Sequence, residues 1–348
     1  MGNNRKGIKK MEQAVSISKE VSKKRGIPGS TLKIIAITTM FIDHVGAVVL
    51  EGKLSDLGMA QAMQTQAGLQ EFMAQYGVLY LMDMIMRLIG RMGFPIFCFL
   101  LIEGFLHTRS RLKYGRNLLL FALISEVPFD LAITRSMGDV PMIGGVLYPY
   151  YQNVFFTLFI GLLCMCGYEL VSRHAEAFGK NIGTKVLAWM FRITGIVLPA
   201  VVIRSMILNY IGELPDTICW SVGILVPVLL YAAVFISKNS VASWQVLCAD
   251  MTILALGMIV ADLLHTDYSA LGILTITLMY AFRKNHVKSV LSGCIALTVF
   301  NFIEITSFFT LIPVKKYNGE RGLSLKYFFY AFYPVHLFLL YLISRYLI

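Results

Sequence analysis

Arg87 and Arg91 stand four residues apart in an apolar stretch that also carries Glu103 and His107, and Glu126 and Asp130 stand at the same interval in the next one. An i, i+4 spacing puts both members of a pair on one helix face. Each ionised group at membrane depth costs roughly 2.5 kcal/mol or more unless it is paired or watered, so these side chains demand partners. With a rise of about 1.5 Å per residue and the two stretches running in opposite directions, Arg91 comes level with Glu126 and Arg87 with Asp130. The spacing predicts those two pairs. Mutual neutralisation as helix glue is one use for them; an anion site or a positioned acid/base cluster is the other. His44, next to Asp43, adds a group that can take up a proton near neutral pH. It reads either as a neutral imidazole bonded to a neighbouring helix or as a base for a nucleophile. Adjacent helix residues point about 100° apart, so Asp43 need not orient His44.

Other polar residues in apolar surroundings are weaker signals. Asn153, with Gln152, suits hydrogen bonding at a helix end, and Asp262, His265 and Asp267, with Tyr268 following, suit a water-facing turn. Glu304 asks for a cation on a neighbouring helix. His336, after Pro334, belongs to a proline kink or faces the same cavity as His44, with the kink slightly favoured. Glu103 and His107 approach the inner face. The six cysteines lie in or beside apolar spans without metal-ligand spacing and read as packing residues, and no metal site is expected. Phosphate-binding and dinucleotide-binding glycine patterns and a serine nucleophile elbow are all missing, which argues against nucleotide hydrolysis.

The elements that must position these groups are membrane helices. The chain has 348 residues, 57% apolar and only 15% charged, with mean hydropathy +0.69. A soluble domain is about a quarter charged. The fold class is all-α, a polytopic integral membrane bundle of about ten transmembrane helices. The spans fall near residues 31–50, 81–107, 117–134, 150–168, 185–202, 219–236, 241–264, 268–282, 287–311 and 327–348. They form one domain over residues 31–348 behind a basic segment, residues 1–30, that can lie on anionic lipid. The net charge of +11 sits between spans as the positive-inside rule expects, so nucleic acid is not the implied partner. A cytoplasmic N-terminus puts Arg109, Arg111, Lys113 and Arg116 inside and the stretch from Glu51 to Asp83 outside as a loop whose Gln/Met/Ala-rich centre can form a surface helix. The segment from Lys315 to Lys326 breaks the pattern: it is basic, yet ten spans place it outside.

Several stretches resemble the TraX family, named for the F-pilin acetylase of conjugative plasmids: LKIIAITTMFIDHVGAV, RLIGRMGFPIFCFLLIEGFLHTRSRLKYGRNLLLFALISEVPFD, QNVFFTL, DYSALGIL and NGERGLSLKYFFYAFYPVHLFLLYLI. The second is specific. The resemblance implies an acetyl-CoA-dependent transmembrane acetyltransferase in a bacterial cytoplasmic membrane, acting on a peptide, glycan or lipid acceptor. It is similar in outline to the acyltransferase-3 proteins, in which a first-helix histidine is taken as catalytic, and His44 is the matching residue. On that footing His44 is the base, or in a ping-pong variant the carrier of a transient acetyl group, Arg87 or Arg91 steadies the oxyanion, and Asp43, Glu126 and Asp130 set charge and orientation. Arg87, His107, Arg109, Arg111, Lys113 and Arg116 would hold the cofactor's phosphates, and Glu103, Asn153, Asp267, Tyr268, Glu304 and His336 would line the substrate path. The residues between Gly179 and Asp262 match no motif of the family. A proton-coupled transporter or flippase is the alternative, although no repeat of two halves is visible. A scaffold for surface appendages would have little use for buried charges.

Overall fold

The computed structural model describes residues 26–137, 140–177, 180–212, 214–238, 241–324 and 326–347. The expected basic lead-in therefore lies outside the described residues, apart from its last five positions. α1 (Gly29–His44) runs on through a π-helical stretch, Val45–Leu50, into α2 (Glu51–Asp56), one continuous rod of 28 residues. A short α3 (Met59–Ala62) follows. Then come α4 (Gln66–Gly90) and α5 (Gly93–His107), divided by a turn at Arg91 and Met92, and α6 (Arg111–Ile133). The remainder are α7 (Val154–Arg173), α8 (Ile182–Tyr210), α9 (Asp216–Lys238), α10 (Val241–Leu263), α11 (Ser269–Ala281) and α12 (His286–Phe300). A 3-10 stretch, Phe302–Thr310, α13 (Leu311–Lys315) and α14 (Lys326–Tyr346) complete the chain. Local sequence sets many of the starts. The side chains of Thr65, Ser110, Asn153, Asn181, Asn285 and Asn301 each accept a hydrogen bond from a first-turn amide, satisfying donors that have no carbonyl partner within the helix.

Among the described residues, eight helical stretches are long and apolar enough to cross a membrane, and α11 and α12 are shorter apolar helices. This is the expected polytopic bundle, with two corrections. The stretch from Glu51 to Asp83 is not a loop: α2 prolongs the first span, and α4 starts at Gln66, so that α4 and α5 together take 42 residues. That is about 63 Å of helix, twice the hydrocarbon thickness of about 30 Å. The polar Gln/Met/Ala composition of residues 59–75 is that of a helix extending beyond the bilayer.

The second correction removes the misplaced charge. The span expected at 287–311 is two legs: α12 ends at Phe300, the backbone of Asn301 is extended, and the chain returns through the 3-10 stretch and α13. The returning leg runs beside the turn between α4 and α5 and then along α5. Thr306 donates to the Leu88 carbonyl (2.7 Å), Thr310 to that of Met92 (3.4 Å) and Tyr317 to the Glu103 carboxylate (3.1 Å). The 315–324 loop then pairs with the start of α1, where the amides of Ile27, Gly29 and Ser30 donate to the carbonyls of Lys316, Glu320 and Arg321. The basic loop thus shares an end of the bundle with the beginning of α1, and the count of ten omitted one reversal.

α1 packs on α4 and α5, and α14 packs on α6 and α1. The core lies where α5, α7, α11 and α12 meet, around Phe99, Ile102, Phe105, Leu162, Met165, Ile273, Met279 and Leu297, all fully buried. α8 and α9 stand to one side against α10. All six cysteines are free, and five are buried.

Candidate active site

His44 is the last residue of α1 before the backbone widens into the π-helical stretch, a distortion that recurs at functional sites. It is buried, and so is His336 on α14. Nδ1 of His44 lies 2.6 Å from Nε2 of His336, with the rings nearly parallel at 10°. His336 Nδ1 lies 2.6 Å from the Phe332 carbonyl. A carbonyl only accepts, so that nitrogen carries a proton. In a neutral His336 the Nε2 is then bare and accepts from His44 Nδ1–H. Nε2 of His44 is left unprotonated, the tautomer a general base requires. Tyr333 packs edge-on against His44 at 5.8 Å. The kink favoured for His336 is the lesser part of its role: Pro334 is inside α14, but the imidazole faces His44.

Asp43 turns the other way, as the 100° step allows. It binds Arg87 at 2.7 Å and Arg91 at 3.3 Å. Arg87 also reaches Glu51 at 3.2 Å, and Arg91 reaches Glu304 at 3.0 Å and donates to the Arg87 carbonyl at 3.1 Å. The pairs Arg91–Glu126 and Arg87–Asp130 do not form. α4 lies against α1, whereas α6 lies against α14 and α7. Glu126 instead accepts from the Asn153 side chain, and Asp130 from the Tyr148 amide at 2.8 Å. These two carboxylates anchor the connection into α7, which Asn153 also caps through the Phe155 amide at 3.1 Å. The expected helix-end role of Asn153 is present, with Glu126 as an added partner.

α4 can approach α1 this closely because residue 90 is glycine: a Cβ there would collide with Cβ and Oδ1 of Asp43. Tyr268 stacks on Phe94, with ring centres 3.7 Å apart, in a turn where His265, Tyr268 and Ser269 all have positive φ. Held this way by its surroundings, the turn is not the simple water-facing loop expected. Asp262 caps α11 through the Ala270 amide at 3.0 Å, His265 is exposed, and Asp267 accepts from Tyr151 at 2.9 Å. Burial pushes the Asp267 carboxyl upward while the Tyr151 bond opposes it, and the Asp267 charge, with burial, holds the Tyr151 phenol protonated.

A cleft of about 340 Å³ opens beside this cluster, lined by Ala47, Glu51, Arg87, Tyr148, Tyr150 and Tyr151 among others. It lies away from the end that carries Arg109 to Arg116. Arg87 and His107 are separated by about 30 Å of helix, so, contrary to the expectation that both hold the cofactor's phosphates, Arg87 cannot share a phosphate with that basic turn. Within the turn, Arg109, Lys113 and Arg116 are exposed. Arg111 is committed to Glu169 at 2.7 Å and lies over the Phe105 ring. His107 is exposed and bonds to the Glu103 carbonyl at 2.8 Å. Glu103 serves the same end of the bundle, with His286 at 3.7 Å and Tyr317 at 3.1 Å, and is not among the residues that line the cleft. Sequence reasoning missed Glu51, Tyr148 and Tyr151 as neighbours of the cluster; their signal was only that they are polar or aromatic residues flanking spans. Among the described residues, no group of three or more His, Cys, Asp and Glu side chains could hold a metal ion.

A probable fimbrial assembly protein FimC, serogroup H1, of Dichelobacter nodosus is 35% identical over 80 residues, 23% of this chain and 32% of that protein, so the match spans about a third of the relative's length. No solved structure matches. The family model described as TraX protein matches residues 28–208 and 202–344, a range that takes in both histidines, both arginines and every carboxylate that binds them. This polytopic helical membrane protein belongs to the TraX family.

Proposed function

We propose that this protein is an acetyl-CoA-dependent acetyltransferase of the bacterial cytoplasmic membrane, with His44 as its general base and an amine or hydroxyl of a surface or membrane component as acceptor. The observation that carries the reading is the hydrogen-bonded chain Phe332 carbonyl, His336, His44, which leaves His44 Nε2 free to take a proton. In the reaction, the acceptor nitrogen or oxygen attacks the thioester carbonyl and loses its proton to His44 Nε2. The tetrahedral intermediate collapses, the carbon–sulfur bond breaks, and His44 returns the proton to the departing CoA thiolate. Acetyl transfer and thiol release balance without any further reactant. Arg91 has Nε, NH1 and NH2 all engaged and acts as a positioning residue. Arg87 lines the cleft and engages carboxylates through Nε and NH1; its remaining NH2 suits the oxyanion. CoA, a polyanion, would be held at the basic end by Arg109, Lys113 and Arg116, with Lys284 of the turn between α11 and α12. The acceptor would enter by the cleft at the opposite end.

Stabilisation by cofactor tests this directly. In detergent, acetyl-CoA at about 100 times its dissociation constant should stabilise the protein by about 2.7 kcal/mol, read as a rise in melting temperature that dephospho or truncated analogues reproduce only in part. No rise at any concentration, together with substrate flux in CoA-free liposomes, would replace the enzyme with a transporter.

A further inference from the structure

α8 carries Lys185, Trp189 and Arg192 at i, i+4 and i+7, a single stripe of a helix. The Arg192 guanidinium carbon stands 4.9 Å from the centre of the Trp189 ring and 5.1 Å from that of Trp244 on α10. Arg87, Arg91, Arg111, Arg135, Arg173 and Arg204 each hold a carboxylate. Arg192 holds none among the described residues, and its Nε is buried without a hydrogen-bond partner. A guanidinium inside a membrane helix requires an anion or water, and here no described residue supplies an anion.

The position of the stripe identifies the source. Trp189 is 61% exposed, and tryptophans collect at the boundary between hydrocarbon and water. α8 has 29 residues, about 43 Å of helix against a hydrocarbon thickness of about 30 Å, so it overhangs the bilayer. Arg192 lies about 15 Å from its start, a depth from which a long side chain reaches the boundary. Lys185, exposed and nearly two turns nearer the basic end, adds a second cation to the same stripe. Two cations with no carboxylate between them favour a headgroup of net negative charge over a zwitterionic one. Guanidinium binds phosphate oxygens in pairs, and the two indole rings fix its plane.

We propose that Lys185, Trp189, Arg192 and Trp244 form a binding site for the phosphate of an anionic phospholipid. The site is separate from the histidine pair and does not rest on the acetyltransferase reading.

Trp189 and Trp244 are two of the three tryptophans in the chain, so a Trp220→Phe variant reports on the site by fluorescence. In phosphatidylcholine nanodiscs, a minor fraction of brominated phosphatidylglycerol should quench that signal at least about twofold more than the same fraction of brominated phosphatidylcholine. Arg192→Gln should reduce the excess to nothing while leaving quenching by the zwitterionic lipid unchanged, which also verifies that the helices remain in place. Lys185→Gln, a change on the exposed surface, should reduce the excess in part and serves if Arg192→Gln does not fold. Equal quenching by the two lipids, or an excess that survives both substitutions, overturns the proposal. Loss of the excess on adding inorganic phosphate also overturns it, reassigning the site to a soluble anion.

Discussion

The proposed chemistry rests on which nitrogen of His44 is bare, and that is decided one residue away. His336 accepts from His44 only because the Phe332 carbonyl has fixed its own proton on Nδ1. His336→Phe keeps a ring against His44 but removes the acceptor. It should lower the rate of acetyl transfer on the order of 10²-fold with the KM for acetyl-CoA little changed, and it should alter the pH profile; a change in KM alone would make His336 a packing residue. The sequence marked both histidines but could not join them, because 292 positions separate them and no local pattern reports which face α14 turns towards α1. Asp43 shows the same limit. The angular step between neighbours made it legible that Asp43 need not serve His44, and the arginines it serves instead were the pair already singled out.

At the scale of elements, helical rise gives each polar group an expected depth but does not name its neighbour. Arg91 found Glu304, on a leg that periodicity had merged with α12, because Asn301 breaks the helix without proline or glycine to announce it. Removing one partner from such a buried network costs about 3–5 kcal/mol, so the network holds α1, α4 and the returning leg together. The contact between α1 and α4 depends on Gly90. Gly90→Ala should force Asp43 away from both arginines and destabilise the protein by about 1–3 kcal/mol, measured by thermal unfolding in detergent, with transfer activity lost well below the melting temperature. Unchanged activity would mean that the Asp43 contacts are dispensable.

For the whole molecule, composition and span length made the all-α membrane bundle plain, and the basic loop from Lys315 to Lys326, by violating the charge rule, marked the miscounted reversal. The hydrogen bonds between residues 27–30 and 316–321 place that loop beside the start of α1. With a membrane-impermeant maleimide, Lys316→Cys and Lys113→Cys should therefore label from one face of the membrane and Met137→Cys from the other; labelling of Lys316→Cys together with Met137→Cys would restore ten simple crossings. In the proposed reaction the same arrangement would offer CoA the basic end and the acceptor the tyrosine-lined cleft, with His44 between them. The most direct test incubates purified protein with radiolabelled acetyl-CoA and follows both binding and thioester loss, for the unmodified chain and for His44→Ala. Binding by both, with turnover reduced on the order of 10²- to 10⁴-fold in His44→Ala, is the predicted result; turnover by His44→Ala at the unmodified rate would contradict it.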